Sequence, residues 1–300
     1  MLSRSVVVFV SDNGAGPLAT GASELPNGGN NWPLRGTKEG AWEGGVRTSA
    51  LLWSASLRDS LPRPPSQQLV HAVDWGPTLY AAAGGTVSEL GDIDGTDLWD
   101  ELSTGEGEGR YEALLQLEEP DQLSAIISGR QEWKFAYKLI QRLEGPSDPS
   151  LDQQVALPQG QPAEDLDLDA LMRASVAWQA LQAALNATGG HSAPLTPLPD
   201  WREQAALQCG RDAGESGNFD PYDGVFMFDI VSDPCETDNI ASSHNEERDK
   251  LLEKLRNYRT VLSPSQSNDN TDERGFPEHH SCLWSPWVGV TPTPYQNCPC

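Results

Sequence analysis

The sequence predicts an α/β protein, and three observations carry that expectation. The run Val6 to Val10 is β-branched or aromatic throughout and stops at Ser11-Asp12-Asn13-Gly14, as a buried strand ending in a turn does. Shorter apolar runs later in the chain repeat that signature. Two segments near residues 170 and 250 instead place apolar residues at helical spacing.

In chain order, Val6 to Val10 reads as a parallel, central strand. From Gly14 to Gly45 the chain is rich in Gly, Asn and Pro with no sustained period, which predicts a long ordered loop, and loops of that length usually carry function. Ala50 to Trp53 is a second strand. Asp74-Trp75-Gly76-Pro77 starts a helix through an Asp cap and an early proline, and Gly84-Gly85 stops it. Ala113 to Leu117 and Ser124 to Ser128 are strands, the latter entering a hairpin turn before Trp133 to Phe135. The stretch from about 144 to 163, rich in Pro, Gln and Asp, predicts a disordered surface excursion. Leu168, Leu171, Met172, Val176, Leu181 and Leu185 predict one helix over 167–185, with acidic residues ahead of its first turn. Val225 to Val231 is a strand. Ser243 and Glu246 stand at capping-box spacing before Leu251, Leu252, Leu255, Tyr258 and Leu262, an amphipathic helix. These breaks suggest segments 1–140, 141–212 and 213–300.

Charge narrows the function. Lys and Arg number 20 against 44 Asp and Glu, a net −24 that opposes binding to nucleic acid or to an anionic membrane face. No apolar run approaches the roughly 18 residues of a membrane span, so no membrane insertion is expected. The opening MLSRSVVVFV offers a five-residue apolar core, shorter than the roughly 7–15 of a signal peptide. Five cysteines show no paired CxxC and no His at zinc spacing, which argues against zinc. Asn186-Ala187-Thr188 is a glycosylation sequon.

Against this acidic background, Arg35, Lys38 and Arg47 form a basic cluster close in sequence to Asp12 and Asn13. Hard oxygen ligands at a strand's carboxyl end suit calcium or magnesium, and a neighbouring lysine suits an anionic group. The alternative is that Asp-Asn-Gly is only a turn and that Arg35 and Arg47 pair with Glu39 and Glu43. His71 reads as a capping or packing histidine, and His279-His280 as surface residues of a polar tail.

Several ordered blocks carry a family resemblance. Val6 to Gly14, Gly29-Asn30-Asn31-Trp32-Pro33-Leu34-Arg35-Gly36 with Lys38, and Trp42-Glu43-Gly44-Gly45-Val46-Arg47 resemble the later part of a sulfatase. His71 to Leu79, Asp94 to Trp99, Gly129 to Lys134 and Phe228 to Pro234 follow in the same order. The nearest resemblance is to the arylsulfatase B type, which removes 4-sulfate from N-acetylgalactosamine. It implies an alkaline-phosphatase-like fold, an incomplete large mixed-sheet domain with a smaller C-terminal α+β subdomain. By the same resemblance Asp12 and Asn13 match two calcium ligands and Lys38 the lysine that contacts substrate sulfate, with Arg35 beside it. A sulfated sugar or aryl sulfate is the implied substrate and a lysosomal or secreted location the implied home. Two residues depart from the family pattern: Ala15, in Gly14-Ala15-Gly16, and Glu39 after the lysine. The family nucleophile is a formylglycine made from cysteine in Cys-x-Pro-x-Arg, and none of Cys209, Cys235, Cys282, Cys298 or Cys300 opens that pattern. The paired N-terminal aspartates that complete the family's calcium site have no match either, so the expectation is a chain truncated at its start and inactive alone. The alternatives are a non-catalytic sulfate- or cation-binding protein and a nonfunctional fragment. Cys282 near Trp284 and Trp287 resembles a family tail that ties back to the N-terminal half, which leaves Cys209 with Cys235 as the internal disulfide candidate.

Overall fold

A computed structural model describes residues 5–16, 31–38, 40–54, 57, 66, 68–117, 123–129, 136–142, 167–187, 207, 209, 224–263, 275–277 and 280. The chain divides into two compact units, residues 1–260 and 261–300. Strands and helices mix in the first unit as the α/β expectation has it. The hairpin turn before Phe135, the 144–163 stretch, Glu39, His279, Cys282, Cys298 and Cys300 lie outside the described residues.

The core sits on a four-stranded antiparallel sheet, β3 (Glu112–Leu117), β4 (Leu123–Gly129), β5 (Ala136–Arg142) and β6 (Val225–Asp229), in the order β3-β4-β5-β6. Its last strand comes from the far side of the 141–212 segment. Alternation along the strands splits the side chains between two faces. Ile126, Leu139 and Met227 face Leu251 and Leu255 of α6 (Asn245–Thr260), so the leucine spacing of that helix is the spacing of its buried stripe. Ala125, Ile140, Phe226 and Phe228 face the other way and close on Ala41 and Trp42. Trp42 meets Phe226 edge-on with ring centroids 5.1 Å apart. The loop ahead of residue 47 is thus a packed layer of the core.

A further tie fastens the helices to the sheet. Asp74 is fully buried, and its carboxylate accepts from Arg110 Nε at 2.8 Å, from His71 N at 2.7 Å and from Thr96 N at 2.8 Å. Arg110 also donates to the Glu112 carbonyl on β3 at 2.8 Å and to the Asp94 carbonyl at 2.7 Å. One ion pair so joins α2 (Trp75–Ala82), the loop leading to α3 (Trp99–Thr104) and the first sheet strand.

Five sequence expectations are corrected. Val6–Val10 (β1) is not a buried parallel strand. It pairs antiparallel with β2 (Ala50–Ser54), Val7 opposite Trp53 and Phe9 opposite Leu51, and these four side chains are exposed because no second described layer covers that face of the ribbon. The helix over 167–185 is two, α4 (Leu168–Ala174) and α5 (Val176–Ala187), divided where Ser175 takes an extended backbone. The Asp74 carboxylate serves Arg110 and does not cap α2. The capping box before α6 does not form, since Ser243 Oγ donates to the Ile240 carbonyl at 3.1 Å. In the second unit His280 is buried, unlike the surface histidine expected of a polar tail, and its N–H donates to the Pro277 carbonyl at 2.9 Å.

Candidate functional site

Three pieces of chain meet at the carboxyl end of β1: the turn at residues 11–16, the loop 31–38, and the segment 40–47 that contains α1 (Glu43–Val46). Asn31 staples them. Its Oδ1 accepts from Ala15 N at 2.7 Å, and its Nδ2 donates to the carbonyls of Ala15 and Gly36 at 3.0 and 3.1 Å. Lys38 N donates to the Ala15 carbonyl at 2.9 Å, so the lysine backbone is one hydrogen bond from the second residue after Asn13. Gly14 N donates to the Gly45 carbonyl at 3.0 Å, and Gly44 N to the Arg35 carbonyl at 2.6 Å. The approach is close enough to demand glycine. A Cβ on Gly14 would lie 1.7 Å from the Gly44 carbonyl oxygen, and one on Gly44 would lie 2.4 Å from that of Gly36.

The predicted residues divide between the surface and the interior. Asp12 and Lys38 are exposed, and Asn13 is half-buried. Asp12 Oδ1 accepts from Asn13 N at 2.9 Å, and Asn13 Nδ2 donates to the Gly14 carbonyl at 2.7 Å. Arg35 stands apart from this surface. It is buried, its Nε donates to the Glu236 carbonyl at 3.0 Å, and its guanidinium lies 5.7 Å from the centroid of the Trp42 ring. Burial lowers the Arg35 pKa to about 10 against the opposing pull of Glu236 and Asp233. Of the two pairings weighed for the arginines, Arg47 does meet Glu43, at 3.5 Å.

Beneath the loops lies a cluster that sequence reasoning did not find. Lys138 of β5 is wholly buried, with Nζ 3.0 Å from Glu43 Oε1 and 2.9 Å from Glu236 Oε1. Glu236 Oε2 also accepts from Glu43 N at 2.8 Å. Desolvation alone would lower the lysine pKa, but Glu236 and Glu43 more than offset it and hold the ammonium above its ordinary value. Burial, with Glu43 nearby, pushes the Glu236 carboxyl up to about 7 despite the opposing Lys138. Glu236 is the non-glycine residue described with positive φ, 55°, in a turn whose Cys235 is bonded to Cys209. A signal for Lys138 was available, since it shares a strand face with Ile140, an apolar position. Nothing local marks Glu236.

Calcium is the metal at issue. Asp12 and Asn13 bring side-chain oxygens, but calcium takes about 6–8, and among the described residues no group of three His, Cys, Asp or Glu could hold a metal ion. The described donors therefore do not make a calcium site by themselves. The backbone of Asn186 lies in the last turn of α5, and Thr188 of its sequon is outside the described residues.

A strand-end loop bundle backed by α and β layers places the described residues in the α/β class. Residues 1–85 match the family model described as Sulfatase. The chain is 26% identical over 288 residues to Arylsulfatase J of Mus musculus, a match that takes in 95% of this chain and 40% of that protein. By these sequence matches the chain is similar to sulfatases over its first 85 residues, and it spans less than half the length of the relative it matches. Two solved structures overlap it in part. One is described as belonging to the metabolism of multiple glycosaminoglycans by Bacteroides thetaiotaomicron, with TM-score 0.47, 18% identity and coverage of 86% of this chain and 39% of that one. The other, Ps i-CgsB, has TM-score 0.33 and 21% identity, covering 71% and 44%. No described helix is long and apolar enough to cross a membrane.

Proposed function

We propose that this chain carries the sulfate-recognising loops of a sulfuric ester hydrolase and binds a sulfated sugar or aryl sulfate through Lys38, with Asp12 and Asn13 offering oxygens to calcium. The observation that supports it is the Asn31-stapled bundle, in which the Lys38 backbone is bonded to the turn that follows Asp12 and Asn13. An exposed ammonium on a fixed backbone can neutralise a sulfate oxygen as a point charge. In this reading Arg35 supports the loop from inside and leaves the ligand to Lys38. With no Cys-x-Pro-x-Arg in the chain, the covalent route has no nucleophile of its own here, so the reading is binding without turnover by this chain. A lysosomal or secreted setting is part of the same proposal.

Titration of the full chain with inorganic sulfate and with an aryl sulfate, with and without calcium, tests it. The expected result is saturable binding that Lys38→Ala weakens about tenfold, the loss of one charge-assisted contact, with no ester cleaved. Binding unaffected by Lys38→Ala overturns the assignment of the lysine, and turnover by the chain overturns its inactivity.

A further inference from the structure

We propose that the buried Glu43–Lys138–Glu236 cluster is a positioning device for the anion site, holding the 31–47 segment on the sheet and so fixing Lys38 and the Asp12–Asn13 turn without touching a ligand. The proposal rests on the anion-site reading above and adds a control on it.

The geometry has three parts. The cluster joins segments far apart in sequence: Glu43 on the loop layer, Lys138 on β5 and Glu236 on the turn after β6. It is cut off from solvent, since Lys138 and Glu236 are each 0% exposed and Glu43 is 3% exposed. Its hydrogen bonds also run into the loop backbone: Glu236 Oε2 takes the Glu43 N–H, and the Glu236 carbonyl takes Arg35 Nε. Arg35 O then accepts Gly44 N, and Gly45 O accepts Gly14 N. An unbroken run of contacts therefore leads from the sheet lysine to the turn bearing Asp12 and Asn13.

The same contacts make the lock sensitive to protons. Glu236 is faced by Lys138 from β5, by Glu43 from α1 and by Arg35 from the loop, while Asp233 faces Arg35 and Arg47 faces Glu43 from outside. A carboxyl whose folded pKa is raised favours the docked state below its unfolded pKa, and that advantage is lost as pH rises through the folded value. The loop is accordingly held more firmly in acid than at neutral pH.

Hydrogen exchange on the full chain reads the lock directly, and sulfate titration reads its effect on the site. In the parent, exchange of amides 38 and 44–47, corrected for intrinsic chemistry, is slower relative to α2 at about pH 5.5 than at about pH 8, and sulfate binding is tighter. Glu236→Gln, which keeps an oxygen for Glu43 N, removes both pH differences. Lys138→Met leaves Glu236 without its cation and Glu43 with Arg47 alone, and speeds exchange of the loop amides about 100-fold, with α2 unchanged. Should Lys138→Met not fold, the double variant Lys138→Met with Glu236→Gln removes the uncompensated charge, and its loop amides exchange faster than those of Glu236→Gln alone. Loop exchange that keeps its pH dependence in Glu236→Gln, or stays slow once Lys138 is removed, overturns the proposal. If the parent binds no sulfate while the exchange results hold, the anion-site reading falls and the lock stands.

Discussion

Replacing Gly44 with alanine tests whether the loop bundle depends on backbone contact. The new Cβ would lie 2.4 Å from Gly36 O and 2.5 Å from Arg35 O, both main-chain atoms that cannot swing aside as a side chain can. Relief requires the two segments to part, which strains the packing by about 1–3 kcal/mol. Parting also breaks the Gly44 N to Arg35 O hydrogen bond, for about 1 kcal/mol more. The expected loss is about 2–4 kcal/mol, a large share of the roughly 5–15 kcal/mol that holds a typical domain together. Gly76→Ala is the control. Gly76 lies in α2 with nothing within 4 Å of a new Cβ, so alanine there gains about 0.5–1 kcal/mol of helix propensity. Urea unfolding of both variants, followed by tryptophan fluorescence, gives the comparison at equal slope. If Gly44→Ala is no less stable than Gly76→Ala, the close approach of the loops does not govern their packing.

Asp74→Ala leaves the Arg110 guanidinium and the His71 and Thr96 N–H groups without their acceptor. The expected loss in denaturant unfolding is about 3–5 kcal/mol, that of breaking a buried pair from one side. Reducing the Cys209–Cys235 bridge, whose ends are 26 residues apart, frees chain entropy worth about 3.5 kcal/mol. Calorimetry with and without reductant should read it as a lower Tm. For pH, Glu236 titrates up at about 7 in the fold, so its contribution to stability is full below the ordinary carboxyl range and falls as pH rises to about 7. The slope is at most about 1.4 kcal/mol per pH unit, and unfolding series in the parent and in Glu236→Gln measure it by difference. Lys138, raised by its carboxylates, makes its full contribution below the ordinary lysine range and loses it as pH rises through its raised value.

The fold was legible wherever a local pattern decided the element. Leu251 and Leu255 announced a buried stripe on α6, and the apolar runs Ala113 to Leu117 and Ser124 to Ser128 emerged as the strands β3 and β4, because local sequence pattern is what those elements present to a neighbour. Val6–Val10 was misread because an apolar run reports how much a strand could bury, not what covers it, and Val7 and Phe9 remain exposed here. At the site, the Asn31, Gly14 and Gly44 positions of the family-like blocks could be noticed from sequence, but not their reason, which is contact between backbones. Arg35 looked like a surface cation because its true partner is 201 residues away. The same distance in sequence hid Glu236, and Lys138 was hidden by the expectation that lysines face water.

That distance has a consequence in time. Glu43 receives the Glu236 carboxylate across 193 residues, and ribosomes add roughly 5–20 residues per second. For about 10–40 s of synthesis, then, the loop bearing Lys38 exists with Trp42 and Glu43 made but with neither β6 nor Glu236 to receive them. Whatever the loops bind, they acquire their fixed shape only when the last sheet strand and its turn have left the ribosome.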